Sequence, residues 1–237
     1  MSIESALADP GHDSFETALT DAVHAGPRGE RALLAALAAA PDEDHACDLV
    51  AALGEADGPD GPAILRAVAV DPNRSAPERC AALIALAKRS GPAAGDVCAR
   101  ALADPDESIR DYALLALAAA GDDRAWAAVL AELERLLQRP ADPDRDLDER
   151  TLSGQSTLLT AVCYLGRHAA TDPQRQRAVT GLVRRRWDRV HGAEQRWLTV
   201  HWPACDPNRP DTATTLDATW LTDWISWPMF SALFPRG

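Results

Sequence analysis

Apolar residues recur along this chain at intervals of three and four, the spacing of helix faces rather than of strands. The clearest stripe is Ile109, Ala113, Ala116, Leu117 and Ala120, followed by a second through Trp126, Val129, Leu130, Leu133, Leu136 and Leu137. Ala-rich helical patterns precede them at 34–40, 46–53 and 64–70, broken by Pro41-Asp42 and by the Gly58-Pro59-Asp60-Gly61-Pro62 turn. Beyond residue 150 the pattern predicts longer helices at 158–165 and 178–190, a third at about 194–202, a Pro-rich connection at 203–210 and a last helix at about 216–227. The predicted class is all-α.

The pattern also repeats. Residues 77–87 overlay 108–118 at an offset of 31, matching Arg79 to Arg110, Ala82 to Ala113, Leu83 to Leu114, Ala85 to Ala116 and Leu86 to Leu117. Each copy follows an Asp-Pro, at Asp71-Pro72 or Asp104-Pro105, and each runs into a glycine, Gly91 or Gly121. Proline lacks the N–H that would continue a helix, so Asp-Pro reads as a turn. Gly121 is expected to supply a left-handed C-cap, and Asp122-Asp123 to open the next helix.

The run Asp104, Ile109-Arg110, Ala113, Ala116-Leu117, Gly121 and Ala125 resembles a HEAT repeat of the bacterial, phycobiliprotein-lyase-like type. The resemblance spans residues 71–137 and is faint before them. It implies a right-handed α-solenoid of stacked antiparallel helix pairs. It also implies that Asp71, Arg79, Asp104 and Arg110 are structural residues tying neighbouring repeats together.

Charge divides the chain. Residues 1–150 hold 14 Arg/Lys against 29 Asp/Glu, a net −15, and residues 151–237 hold 10 against 7, a net +3. The expected organisation is an acidic HEAT-like array at 1–139, an acidic Pro-broken loop at 140–150, and a C-terminal helical part at 151–237 ending in a Trp-rich cap. The overall −12 argues against a general nucleic-acid or anionic-membrane binder, because phosphate contacts need clustered cations. Lys88 is the only lysine, and the Ala, Asp and Arg usage is that of a GC-rich bacterial genome. Residues 1–13 have neither a basic segment nor an apolar run, and no stretch approaches a bilayer span, so a cytoplasmic location is expected.

Two features stand out as candidate surfaces. Arg184, Arg185, Arg186 and Arg189 fall on a helical pattern whose apolar stripe is Val179, Val183, Trp187 and Val190, leaving a cationic face suited to an anion or an acidic partner. Trp220, Trp224 and Trp227 share one face of the last helix, as a cap on the array or as a partner groove. Candidate chemistry is thin. The acidic loop lacks the glycine and the Glu of a calcium loop, and the five cysteines have no C-x-x-C pair. His168, His191 and His201 with Cys163 and Cys205 match no zinc spacing. No catalytic residue, metal or cofactor is expected.

The sequence therefore points to a protein-interaction module, an adaptor, scaffold or inhibitor, whose acidic surface suits a basic protein partner. Two alternatives stay open. One is a nucleic-acid-directed role like that of HEAT-like DNA glycosylases, using the Arg184–Arg189 face, although the acidic charge speaks against it. The other is lyase-like small-molecule binding by fold analogy.

Overall fold

The computed structural model describes residues 2–9, 11, 14–139, 156–210, 216 and 233. Every regular element among them is helical, and none of these helices is long and apolar enough to cross a membrane. The chain falls into two compact units, one formed by the described residues up to Gly121 with Leu233, the other by those from Asp122 onward. The division comes at the end of the second repeat copy. The expected boundary loop 140–150 lies outside the described residues, together with Trp220, Trp224 and Trp227.

The first unit contains α1 (Ile3–Leu7), α2 (Phe15–His24), α3 (Pro27–Ala38), α4 (Glu43–Leu53), α5 (Gly61–Val70), α6 (Ala76–Ser90), α7 (Gly95–Ala101) and α8 (Glu107–Ala120), with a 3-10 turn at Gly91–Ala94. Their starts are written in side chains that satisfy the orphan N–H groups of a first turn. Asp42 accepts from the His45 N–H at 2.8 Å, and Asp106 accepts from the N–H groups of Ser108 and Ile109. Ser75 and Glu78 form a reciprocal capping box on α6. Pro27 opens α3, where its missing N–H is not needed.

Consecutive helices pack in pairs, α3 with α4, α5 with α6 and α7 with α8. Alternate helices also meet, α4 on α6, α6 on α8 and α5 on α7. The two repeat copies bury the same register: Ala82, Leu83 and Leu86 of α6, and Ala113, Leu114 and Leu117 of α8, are all shielded from solvent. Each such leucine contributes roughly 1.5–3 kcal/mol of transfer free energy. Small residues set the spacing of the layer. A Cβ placed on Gly54, at the end of α4, would lie 2.8 Å from the Cα of Ala85 in α6.

Three differences from the sequence reading emerge. Helices α1, α2 and α7 fall where no helix was predicted, and the early helices begin several residues before the apolar runs, at Pro27, Glu43 and Gly61. Gly121 is not a left-handed cap: its φ is −68° and its ψ 153°, ordinary extended backbone. It is glycine because the chain folds back on its own helix, so that a Cβ would sit 2.6 Å from the Leu117 carbonyl oxygen. The copy that does need positive φ is Gly91, at +53°.

The second unit contains α9 (Trp126–Leu136), α10 (Thr157–Ala169), α11 (Pro173–Arg185) and α12 (Gly192–His201), with 3-10 turns at Asp123–Ala125, Trp187–Arg189 and Pro203–Cys205. Helix α10 is its core element. It packs on α9 and α11, and Leu159, Ala161, Val162, Tyr164 and Leu165 are buried nearly all round. Trp202 is fully buried and Leu216 lies beside it. Both close on Gly166, where a Cβ would be 2.5 Å from Leu216 Cδ2. The predicted helix 178–190 ends early. Arg186 leaves helical geometry, its N–H reaches Val183 O, and Trp187–Arg189 form a tighter turn that still buries Val190.

Candidate functional site

Four cations of the first unit, Arg79, Lys88, Arg89 and Arg110, are engaged inside it. Glu30 on α3 is completely buried. Its carboxylate accepts from the Asp60 N–H at 3.0 Å and the Gly61 N–H at 2.8 Å, the start of α5, and from Arg89 of α6 at 2.7 Å. Arg89 also donates to the carbonyls of Leu53 and Gly58. The two glycines of this turn are required by the carboxylate, since a Cβ on Gly58 would lie 2.1 Å from Glu30 Oε2 and one on Gly61 2.6 Å from Oε1. Lys88 pairs with Glu55 at 2.5 Å.

The four residues expected to be structural meet in part. Arg79 of α6 pairs with Asp104, in the turn before α8, at 2.5 Å, and the pair is mostly buried. Arg110 donates to the main-chain oxygens of Asp104 and Pro105, so both arginines of the overlaid copies converge on one turn. Asp71 does not join them. Its carboxylate accepts from the Asn73 backbone and side chain within its own turn, while Arg79 Nε turns to the Ala69 carbonyl.

With those cations engaged inward, an uncompensated acidic face is left on α4 and α2. Glu43, Asp44 and Asp48 of α4 and Glu16 of α2 are exposed, and none has an ion-pair partner among the described residues. The Asp48 carboxyl is pushed above its usual range by partial burial, with Asp44, Glu16 and Asp42 adding to the effect and His45 opposing it. The Cys47 thiol, on the same helix, is pushed up to about 11, by burial first and then by Glu43, Glu78, Asp48 and Asp44. Asp44 and Asp48 are one turn apart, a like-charge pair that costs its helix a few tenths of a kcal/mol. His45 closes the inner side: its Nε2 lies 2.9 Å from Leu7 O and its ring meets Phe15 edge-on.

In the second unit the arginines are arranged otherwise. Arg184 is no part of a solvent-facing patch. Its guanidinium donates to four carbonyls, those of Ala204, Asp206, Pro207 and Arg209, and so holds the segment after Trp202 against α11. Arg189 sits past the end of α11 and pairs with its neighbour Asp188 at 3.3 Å. Arg185 and Arg186 remain exposed, as does Arg177 two turns before Arg185, and none of the three has an ion-pair partner among the described residues. Arg175 stacks over the Trp126 ring at 4.7 Å and lies near Asp123 and Asp172. Of the expected cationic face over 184–189, Arg185 and Arg186 are exposed, with Arg177 on the same helix, while Arg184 and Arg189 are engaged within the chain.

The histidines and cysteines of this unit do structural work. His191 Nδ1 accepts from the Ala193 N–H and Glu194 returns to the His191 N–H, a capping box on α12. The buried Glu194 also receives the Ser156 hydroxyl at 2.6 Å, which joins the starts of α10 and α12. Cys163 and Cys205 are buried thiols whose pKa values burial drives far up, the reverse of a nucleophile's environment. Among the described residues no group of three or more His, Cys, Asp or Glu is placed to hold a metal ion. No protein-family model, no curated protein and no solved structure matches this chain.

Proposed function

We propose that this protein is a helical-repeat interaction module of the HEAT-like solenoid kind, an adaptor, scaffold or inhibitor that takes a basic protein partner on the acidic surface of α2 and α4. The observation that carries the reading is the exposed set Glu16, Glu43, Asp44 and Asp48, left without cations while Arg79, Lys88 and Arg89 are committed to interior pairs. The solenoid part is supported by the layering of α4, α6 and α8 with α5 and α7, by the shared register of the two copies, and by the ion pair that runs from α6 to the turn before α8. A basic partner would relieve the mutual repulsion of these carboxylates and would be steered to them by charge.

The nucleic-acid alternative rested on the 184–189 face and is weakened there, because Arg184 and Arg189 are engaged within the chain. The lyase-like alternative rests on fold analogy alone.

The test uses a defined probe, a fluorescent oligo-arginine peptide titrated against the full chain. We expect binding that falls steeply between about 50 mM and about 300 mM NaCl. Changing Asp44→Asn and Asp48→Asn together should weaken it about tenfold, the factor that corresponds to about 1.4 kcal/mol. Binding of unaltered strength in the double variant would overturn the reading.

A further inference from the structure

The arginine ridge on α11 has a construction of its own. Arg177 and Arg185 are eight residues apart on one helix, roughly 12 Å along its axis at 1.5 Å per residue. Ala178 is exposed beside them, and Gly181 lies midway. Glycine weakens a helix interior, and nothing in the fold demands one here. A Cβ on Gly181 would meet only the flexible tip of Arg185, its Nη1, at 3.3 Å. This contrasts with Gly54, whose missing Cβ makes room for α6. The Arg185 guanidinium thus lies over the bare backbone at Gly181, and neither it nor Arg177 has an acidic partner among the described residues.

The acidic ridge of α4 carries the complementary charge. Asp44 and Asp48 stand exposed one turn apart, and the residues between and beyond them on that side, Cys47 and Ala51, are small and half-buried. Exposed carboxylates stand beside small residues on one helix, and exposed guanidiniums stand beside small residues on the other. Arginine's planar fork is matched to carboxylate geometry, and small residues at the crossing let two helices approach.

We infer that a second copy of this chain is a partner for the acidic face: the Arg177–Gly181–Arg185 ridge, with Arg186 beyond it, docks on Glu43, Asp44 and Asp48 of α4 in another copy. The inference rests on the reading of α4 as a docking surface for a basic partner and names that partner. Different patches of the two copies meet, so the contact is head-to-tail and can propagate to further copies. The pairs lie at the rim of a small contact, which makes the association weak and salt-sensitive. Nucleic acid suits the ridge less well, because three guanidiniums neutralise few phosphates and the chain as a whole carries −12.

Sedimentation equilibrium of the full chain tests it. Over roughly 10 µM to 1 mM protein, the average mass at about 50 mM NaCl should climb above the 25.4 kDa of one chain and return to it at about 300 mM. The pair Arg177→Glu with Arg185→Glu should stay monomeric, and so should the pair Asp44→Lys with Asp48→Lys. Mixing these two variants, each verified as folded by circular dichroism, should restore association, because each supplies the face that the other has lost. A wild-type chain that stays monomeric throughout, or variants that fail to associate when mixed, would sink the inference. If the oligo-arginine peptide still binds in that case, the broader reading of the acidic face survives without it. A fluorescent DNA duplex that binds the wild type and not the Arg177→Glu, Arg185→Glu variant, with no self-association, would assign the ridge to nucleic acid and overturn the second-copy partner.

Discussion

The two units leave opposite charges at their surfaces. In the first, Arg79 and Arg89 are turned inward onto carboxylates and Arg110 onto main-chain oxygens. Arg89 reaches the buried Glu30 and Arg79 reaches Asp104, and the acids left over are displayed to solvent. In the second, Arg184 is turned onto main-chain carbonyls, and the surplus at the surface is cationic. An interior pair takes one charge of each sign, so the sign a unit displays follows its own net charge, and the pairing decides which residues are left to display it. A count of charges along the sequence gives the sum but not this division.

The largest effect that would expose the contrast is at Glu30. Glu30→Ala removes the acceptor for two helix-start N–H groups and leaves Arg89 a charge in a mostly buried place, so urea unfolding should show a loss of about 4 kcal/mol. A loss under about 1 kcal/mol, the scale of an exposed pair, would mean that the first unit's interior pairs are not what holds its helices.

Next come two substitutions of one type with opposite signs. Gly54→Ala drives a Cβ into the backbone of α6 and should destabilise by about 2 kcal/mol, the scale of overpacking. Gly181→Ala meets only a movable side-chain tip and should stabilise by up to about 1 kcal/mol through helix propensity. Thermal unfolding of both variants decides it. Equal signs would erase the distinction between a glycine that serves the fold and one that does not.

The smallest effect at neutral pH is that of the thiols. Burial raises Cys80 and Cys98 to about 12. A folded pKa above the unfolded value near 8.5 means that the native state holds the proton more tightly. The associated stability is complete below about pH 8.5 and drains away as pH rises through the folded value. The melting temperature should therefore be insensitive to these groups from pH 7 to 8 and decline above that. Cys98→Ser, which does not titrate in this range, should show a shallower alkaline decline. An identical slope would contradict the burial argument.

Much of the fold could be read from the chain because helix periodicity and the offset of 31 are local signals. The overlaid residues Ala82 and Ala113, and Leu86 and Leu117, are all buried. Helix α2, absent from the predicted elements, carries a local signal all the same: Phe15, Leu19, Ala22 and Val23 have helical spacing, and all are buried. Helix α7 gave a weaker signal, being short and opened by Gly95-Asp96. The inward roles were not legible. Glu30 looks like any acid on an Ala-rich helix, because its partner lies 59 residues away. The one clue is the Gly58 and Gly61 pair, which a carboxylate overhead requires. The inward role of Arg184 has no sequence signal, because its acceptors are carbonyls, which carry no residue-type signature.

The Glu30 cluster also bears on how the protein is made. A chain emerging from the ribosome completes α3 to α5 before Arg89 has been added, so for that interval the carboxylate has its helix-start donors but no countercharge. Helices with local partners can form in order of synthesis. The early ones here wait on α6 before their interior is electrically complete, and a released chain truncated just short of residue 89 should be cut readily by proteases around 54–61.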